Sequence, residues 1–196
     1  MSRIKPLKRE DVAEFEDLWT QAEAKFGYVP NSLLLLARRP DILRATQVMS
    51  KAVYTSTEVP QGLKRLIAHV ASKTVGCQYC SAHTADGAAD QGIDDAKIKA
   101  VFEYETSPLF TPAERAALAL AQAACTVPNA VTDADFAELR KHYSEAAIIE
   151  IVAMIAWFGW WNRWNDILAT PLEAKPQAIA ERLLAETGWN IGKHAS

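Results

Sequence analysis

Two thiols and an imidazole stand at helical spacing in Gly76-Cys77-Gln78-Tyr79-Cys80-Ser81-Ala82-His83. Residues three apart in a helix occupy neighbouring turns of one face. Cys77 and Cys80 therefore fall within the roughly 4.4–6.8 Å Cα separation that a disulfide accepts. This is the composition of a dithiol/disulfide couple. His83, one turn beyond Cys80, is placed to take a thiol proton or to hold a thiolate by charge. The residues leave open which sulfur leads: Cys77 lies nearer the expected helix N-terminus, where the dipole and free amides lower a thiol pKa, and Cys80 lies nearer the histidine. A structural or vestigial cluster and a zinc site are the competing readings; for zinc, no second C-x-x-C or H-x-x-x-H pair supplies a fourth ligand, and only His69 is near in sequence.

The elements that must position these groups read as helices. Pro60 introduces a segment with apolar residues at 63, 66, 67, 70 and 71, a 3.6-residue stripe. Thr111-Pro112-Ala113-Glu114 combines a capping threonine, proline at the first helical position and glutamate at the third, opening an alanine-rich helix to about Cys125. Helices are also expected over about 8–25, 41–54, 77–91, 94–104, 132–142, 144–169 and 174–186, separated by Pro, Gly or Asn. No segment alternates as a strand does. The fold class that follows is an all-α antiparallel helical bundle, with residues 1–58 as an N-terminal helical arm packing on a core of 59–196. Trp157, Trp160, Trp161 and Trp164 share one helical face, read as core or subunit interface, with a substrate pocket as the alternative. A faint echo at an offset of 85 residues relates the helix around 66–71 to that around 151–156 and places Glu150 opposite Arg65.

Composition limits the function. The 196 residues are 49% hydrophobic and 23% charged, with a formal net charge of -3, so the chain is globular and has no basic surface for nucleic acid. The polar N-terminus lacks the apolar run of a secretory signal, and the longest apolar stretch, 146–161, is interrupted by Glu150 and too short for a membrane span. A cytoplasmic location is expected. Three cysteines are too few for a disulfide scaffold, and a reducing compartment keeps structural bridges open, so the Cys77/Cys80 pair reads as chemistry. Cys125 reads as a small buried hydrophobe, and His142 and His194 as exposed.

The stretch 76–84, the Pro30-Asn31 and Pro40 arrangement, Thr111-Pro112-Ala113-Glu114-Arg115, and the segment from Phe158 to Asp166 together resemble the carboxymuconolactone decarboxylase/alkylhydroperoxidase D superfamily, in particular its peroxidase-related branch. The resemblance covers about residues 25–170. It implies a symmetric homo-oligomer, trimer or hexamer, and a thiol peroxidase that needs no metal or organic cofactor. It assigns Cys80 as the peroxidatic thiol, Cys77 as the resolving thiol and His83 as base or proton relay. The substrate is then hydrogen peroxide or an organic hydroperoxide, and a dithiol protein or small thiol is the reductant. The alkylhydroperoxidase pattern places its histidine four residues after the second cysteine and often has a relay glutamate about a dozen residues before the first. Here the histidine follows after three, and Arg65 stands at the glutamate's place with no carboxylate substituting. His69, Asp86, Glu150 and Arg65 are the further candidates for relaying protons or orienting the imidazole. Two other functions fit the same family resemblance: decarboxylation of a small carboxylated lactone, which does not need the cysteine pair, and a non-catalytic thiol-switch oligomer.

Overall fold

A computed structural model describes residues 2–195. Ten α-helices follow in order: α1 (Glu16–Phe26), α2 (Asn31–Leu36), α3 (Pro40–Thr55), α4 (Gln61–Thr74), α5 (Gln78–Asp90), α6 (Asp95–Lys99), α7 (Pro112–Cys125), α8 (Asp133–Leu139), α9 (Glu145–Leu168) and α10 (Ala174–Leu184). Short 3-10 turns precede α1, follow α6 and α10, and close the chain at Gly192–His194. No strand occurs among the described residues. The expected helices are present, except that two are only partly α-helical: 8–25 opens as a 3-10 segment (Arg9–Phe15) with Val12 non-helical, and 94–104 is a five-residue helix followed by a 3-10 turn. Their starts carry the expected chemistry: Thr111 and Glu114 form a reciprocal capping box on α7, and the Ser144 hydroxyl accepts the amide of Ala147 at 3.1 Å to start α9.

The α4 helix is the centre, packed against α5, α7 and α9. Its apolar stripe is buried, but so are Lys64, His69 and Ser72. A helix enclosed by neighbours on several sides buries polar residues that a one-sided stripe assigns to solvent. Each of the three has a partner, as burial demands. The Ser72 hydroxyl donates to the carbonyl of Ala68 at 2.8 Å, and Lys64 donates to the carbonyls of Val53 and Ser56 at 3.0 and 2.7 Å. A second cluster joins α5 to α10 through Ala82, Ala85, Leu183 and Leu184. A third gathers Phe15, Trp19, Leu36 and Leu43 of the N-terminal region.

The tryptophan face of α9 joins these layers. Trp160 stacks between Trp157 at 5.5 Å and Trp164 at 5.3 Å, and Trp160, Trp161 and Trp164 pack on the N-terminal cluster. Aromatic pairs of this kind add about 0.5–1.5 kcal/mol each beyond the area they bury. The stripe thus fastens residues 12–43 to the bundle. The short α2 replaces what reads in sequence as mere punctuation at Pro30-Asn31. Four consecutive leucines, 33–36, hide the helical period, and three of them are buried.

Candidate active site

The cysteines are positioned by the turn that ends α4. Gly76 adopts φ +79, a conformation that disfavours any side chain, and the chain reverses so that the Cys77 amide donates to the Ser72 carbonyl at 3.1 Å. Cys77 is then the N-cap of α5, its sulfur accepting the amide of Cys80 at 3.3 Å. Both cysteines are free thiols and buried, 1% and 2% exposed. They face different surroundings. Cys80 lines a cavity of about 450 Å³, whereas Cys77 is not among its lining residues.

The cavity lies between the N-terminal helices and the bundle. Leu18, Phe26, Leu33, Phe158 and Trp161 form apolar wall, and Tyr54, Tyr79, His83 and Asn165 bring polar atoms to it. Asn165 Nδ2 donates to the Cys80 sulfur at 3.5 Å and to the Trp161 carbonyl at 3.0 Å. Burial pushes the Cys80 thiol well above its ordinary range, the adjacent Cys77 adds to this, and Asn165 acts in the opposite direction. At rest Cys80 is a thiol with a donor aimed at the charge it develops on ionising.

His83 is held by a carboxylate far away in sequence. Its Nε2 donates to Glu173 Oε2 at 2.7 Å, and its Nδ1 accepts from the Tyr28 hydroxyl at 3.4 Å. Glu173 Oε1 accepts the Asn31 amide at 2.5 Å and the Tyr79 hydroxyl at 3.0 Å. Burial alone raises the Glu173 pKa, but His83 and the Asn31 amide outweigh it and the carboxyl is lowered, so it stays ionised. Tyr79 stacks on the imidazole with centroids 4.4 Å apart. The sequence offers no carboxylate at position 65, yet in space Glu173 is the carboxylate that meets the His83 imidazole. It arrives from the start of α10, and the Asn31 side chain holds the adjoining loop by donating to the Pro171 carbonyl at 3.0 Å.

The remaining candidates lie in different places. Asp86 does not orient His83; it is buried, 3.4 Å from Lys175 Nζ. His69 is fully buried, with Nδ1 2.9 Å from the Thr84 hydroxyl, and burial, then Lys73, lower its pKa to about 3, so it is neutral. Glu150 pairs with Lys64 at 3.4 Å and accepts the Val59 amide at 2.6 Å; it is not among the residues lining the Cys80 cavity. Arg65 does line it, donating to the Tyr54 hydroxyl at 3.1 Å and lying 4.5 Å over the Tyr54 ring. Lys25 Nζ lies 4.4 Å from the same ring, and Lys51 completes three cations lining the cavity. No Asp or Glu side chain lines it among the described residues. Burial and then Arg65 lower Lys25 to about 8. His194, expected at the surface, is 1% exposed. The segment after α10 folds back, its His194 carbonyl accepting the Leu172 amide at 2.9 Å.

Glu173, Tyr28, Asn165 and His194 are the site residues that sequence reasoning passed over or misplaced. Only Asn165 carried a local signal, as a polar residue interleaved with the tryptophans.

The family model described as carboxymuconolactone decarboxylase family matches residues 40–123. The Escherichia coli (strain K12) protein YnjA, itself uncharacterized, is 32% identical over 97 residues, 50% of this chain and 53% of YnjA, so the match spans about half of that relative's length. Among solved structures, the debrominase Bmp8, in a variant with alanine replacing a cysteine and in complex with 2,3,4-tribromopyrrole, is 35% identical with a TM-score of 0.87. That match covers 93% of this chain and 98% of Bmp8. A peroxidase-related protein from Ralstonia eutropha JMP134 with an alkylhydroperoxidase AhpD core has a TM-score of 0.80 at 24% identity, over 89% of this chain and 94% of its own; at that identity the likeness is one of fold. With the cysteine pair carried on the same helical scaffold, the chain belongs to the carboxymuconolactone decarboxylase family and has the fold of its alkylhydroperoxidase D-like, peroxidase-related members.

Proposed function

We propose that the protein is a dithiol reductase of small organic hydroperoxides, with Cys80 as attacking thiol and Cys77 as resolving thiol. The observation that carries the reading is the division between the two cysteines: Cys80 lines the cavity and Cys77 does not, although they sit one turn apart. A substrate seated against Cys80 also meets His83, because both line the same cavity. The Cys80 thiol gives its proton to the His83 side, the thiolate so formed attacks the terminal oxygen, the O–O bond breaks, and the sulfur becomes a sulfenic acid. The departing alkoxide takes a proton from the His83 side, where Glu173 and Tyr28 fix the imidazole. Cys77 then displaces hydroxide from the sulfenic sulfur, giving a disulfide and water. An external dithiol restores both thiols by exchange.

The size and lining of the cavity favour an organic acceptor over hydrogen peroxide. About 450 Å³ with aromatic and aliphatic walls falls in the range typical of small-molecule sites, roughly 300–1,000 Å³. Lys25, Lys51 and Arg65, without a lining carboxylate, favour an acceptor carrying an acidic group. The homo-oligomer, the cytoplasmic location and the dithiol partner belong to the same proposal.

A second reading has a specific basis in the likeness to Bmp8. Attack of a thiolate on bromine, protonation of the carbon released, and loss of bromide on disulfide closure use the same residues in the same order. Turnover assays with a dithiol reductant separate the two: faster turnover of an organic hydroperoxide than of a bromopyrrole supports the first reading, and the reverse supports the second. In either case Cys80→Ser should lower turnover by about a thousandfold or more, as loss of a nucleophile does. Lactone decarboxylation retained in a Cys77→Ser/Cys80→Ser protein would overturn both.

A further inference from the structure

The resolving thiol has surroundings that the attack at Cys80 does not use. Cys77 Sγ, an Asp166 carboxylate oxygen and a His194 ring nitrogen lie within 4.8 Å of one another. The three come from the start of α5, the end of α9 and the closing 3-10 turn. His194 Nδ1 is 2.8 Å from the Thr170 carbonyl oxygen. A carbonyl only accepts, so Nδ1 carries the proton and Nε2 presents its lone pair. That Nε2 is buried with no hydrogen-bond partner, 4.0 Å from Asp166 Oδ1. An unpaired buried polar atom carries a desolvation cost of about 1–3 kcal/mol, and a basic nitrogen beside a thiol gives it a use.

We propose that His194 is the general base for Cys77, giving the site two separate proton paths, one for each sulfur. The inference rests on the dithiol reading above. In the closing step the Cys77 S–H bond breaks and the proton passes to His194 Nε2. The sulfur's electron pair forms the S–S bond with Cys80, and the Cys80 S–O bond breaks. Hydroxide leaves and takes up the proton as water. No oxidant is required beyond the hydroperoxide already reduced at Cys80. The sulfur and a ring nitrogen lie within 4.8 Å at rest, and the reacting groups of such sites commonly tighten only as the reaction proceeds. Asp166 stabilises the charge that the imidazole acquires.

The groups facing His194 are Asp166 from α9, Cys77 and the Tyr79 ring from the start of α5, Lys193 beside it and Arg3 from the N-terminal segment. Burial lowers the His194 pKa, with Thr170 and Asp166 opposing, so the ring is a neutral acceptor. Lys193 Nζ is 2.7 Å from Asp166 Oδ2, which offsets the charge a divalent cation would need and favours proton transfer over metal binding.

The test needs no natural substrate. In a Cys125→Ser background, one equivalent of dithiobis(nitrobenzoate) releases its coloured thiolate twice, first on forming a mixed disulfide at Cys80 and then when Cys77 closes the bridge. His194→Gln should leave the first release unchanged and slow the second about tenfold or more at neutral pH, the deficit shrinking as pH rises and Cys77 ionises unaided. The unchanged first release also shows that the variant is folded. An unchanged second release, equal slowing of both at every pH, or stoichiometric zinc binding that His194→Gln abolishes would each overturn the assignment. Failure of the peroxidase reading shows separately, as absent hydroperoxide turnover beside intact bridge closure.

Discussion

At the scale of single residues, the site works by giving each polar side chain a different burial and partner. His83 and His69 differ by fourteen positions and share the core of one bundle. His83 meets a carboxylate and a cavity; His69 meets Thr84 and apolar walls. The consequence for His69 is measurable. Its pKa is lowered to about 3 in the folded chain and returns to about 6.5 on unfolding, so unfolding takes up a proton between those values. The stability held above pH 6.5 is therefore lost progressively as pH falls below it. His69→Gln should flatten the decline by up to about 1.4 kcal/mol per pH unit in denaturant melts, because one proton is no longer taken up. His194, buried and lowered in the same direction, keeps some slope in both proteins. Identical slopes would contradict the assignment of a neutral buried imidazole. The thiols and His83 were legible in sequence because helical spacing alone brings them near one another. Glu173 was not, because its distance to His83 is made by tertiary packing across 90 positions and by an amide of α2.

At the scale of elements, helix starts and stops are written locally, by Thr111, Ser144, Gly76 and the prolines, and most expected helices agree with those observed; 8–25 and 94–104 are partly 3-10, and α2 has no expected counterpart. What sequence could not give is how many neighbours enclose a helix. The α4 stripe implied one buried face, yet Lys64, 1% exposed, lies deep between α3, α4 and α9. There it holds the carbonyls of Val53 and Ser56 while Glu150 holds the Val59 amide, so the pair fastens the 56–60 connection to α9. Glu150→Ala leaves that ammonium buried without its counter-charge and should cost about 3–5 kcal/mol in chemical denaturation. A paired Lys64→Met/Glu150→Leu replacement should recover most of the loss. A loss below about 1 kcal/mol for the single variant would show that the pair is not structural in this sense.

At the scale of the whole molecule, the tryptophan face of α9 secures an N-terminal region that supplies one wall of the cavity and, through Asn31, the anchor for Glu173. The C-terminal segment folds back to bring His194 beside Cys77. Both ends of the chain thus complete a site whose sulfurs lie in the middle, and no helix of the described residues is long and apolar enough to cross a membrane. In the proposed cycle Cys80 takes the oxidising oxygen and Cys77 closes on it. Peptide mass mapping after one equivalent of an organic hydroperoxide tests it most directly. Two thiols should be lost with a Cys77–Cys80 bridge, Cys125 untouched, and sulfenic acid should be trapped on Cys80 in Cys77→Ser. Sulfenic acid on Cys77 in Cys80→Ser with none on Cys80 in Cys77→Ser, or no oxidation of either sulfur, would contradict it.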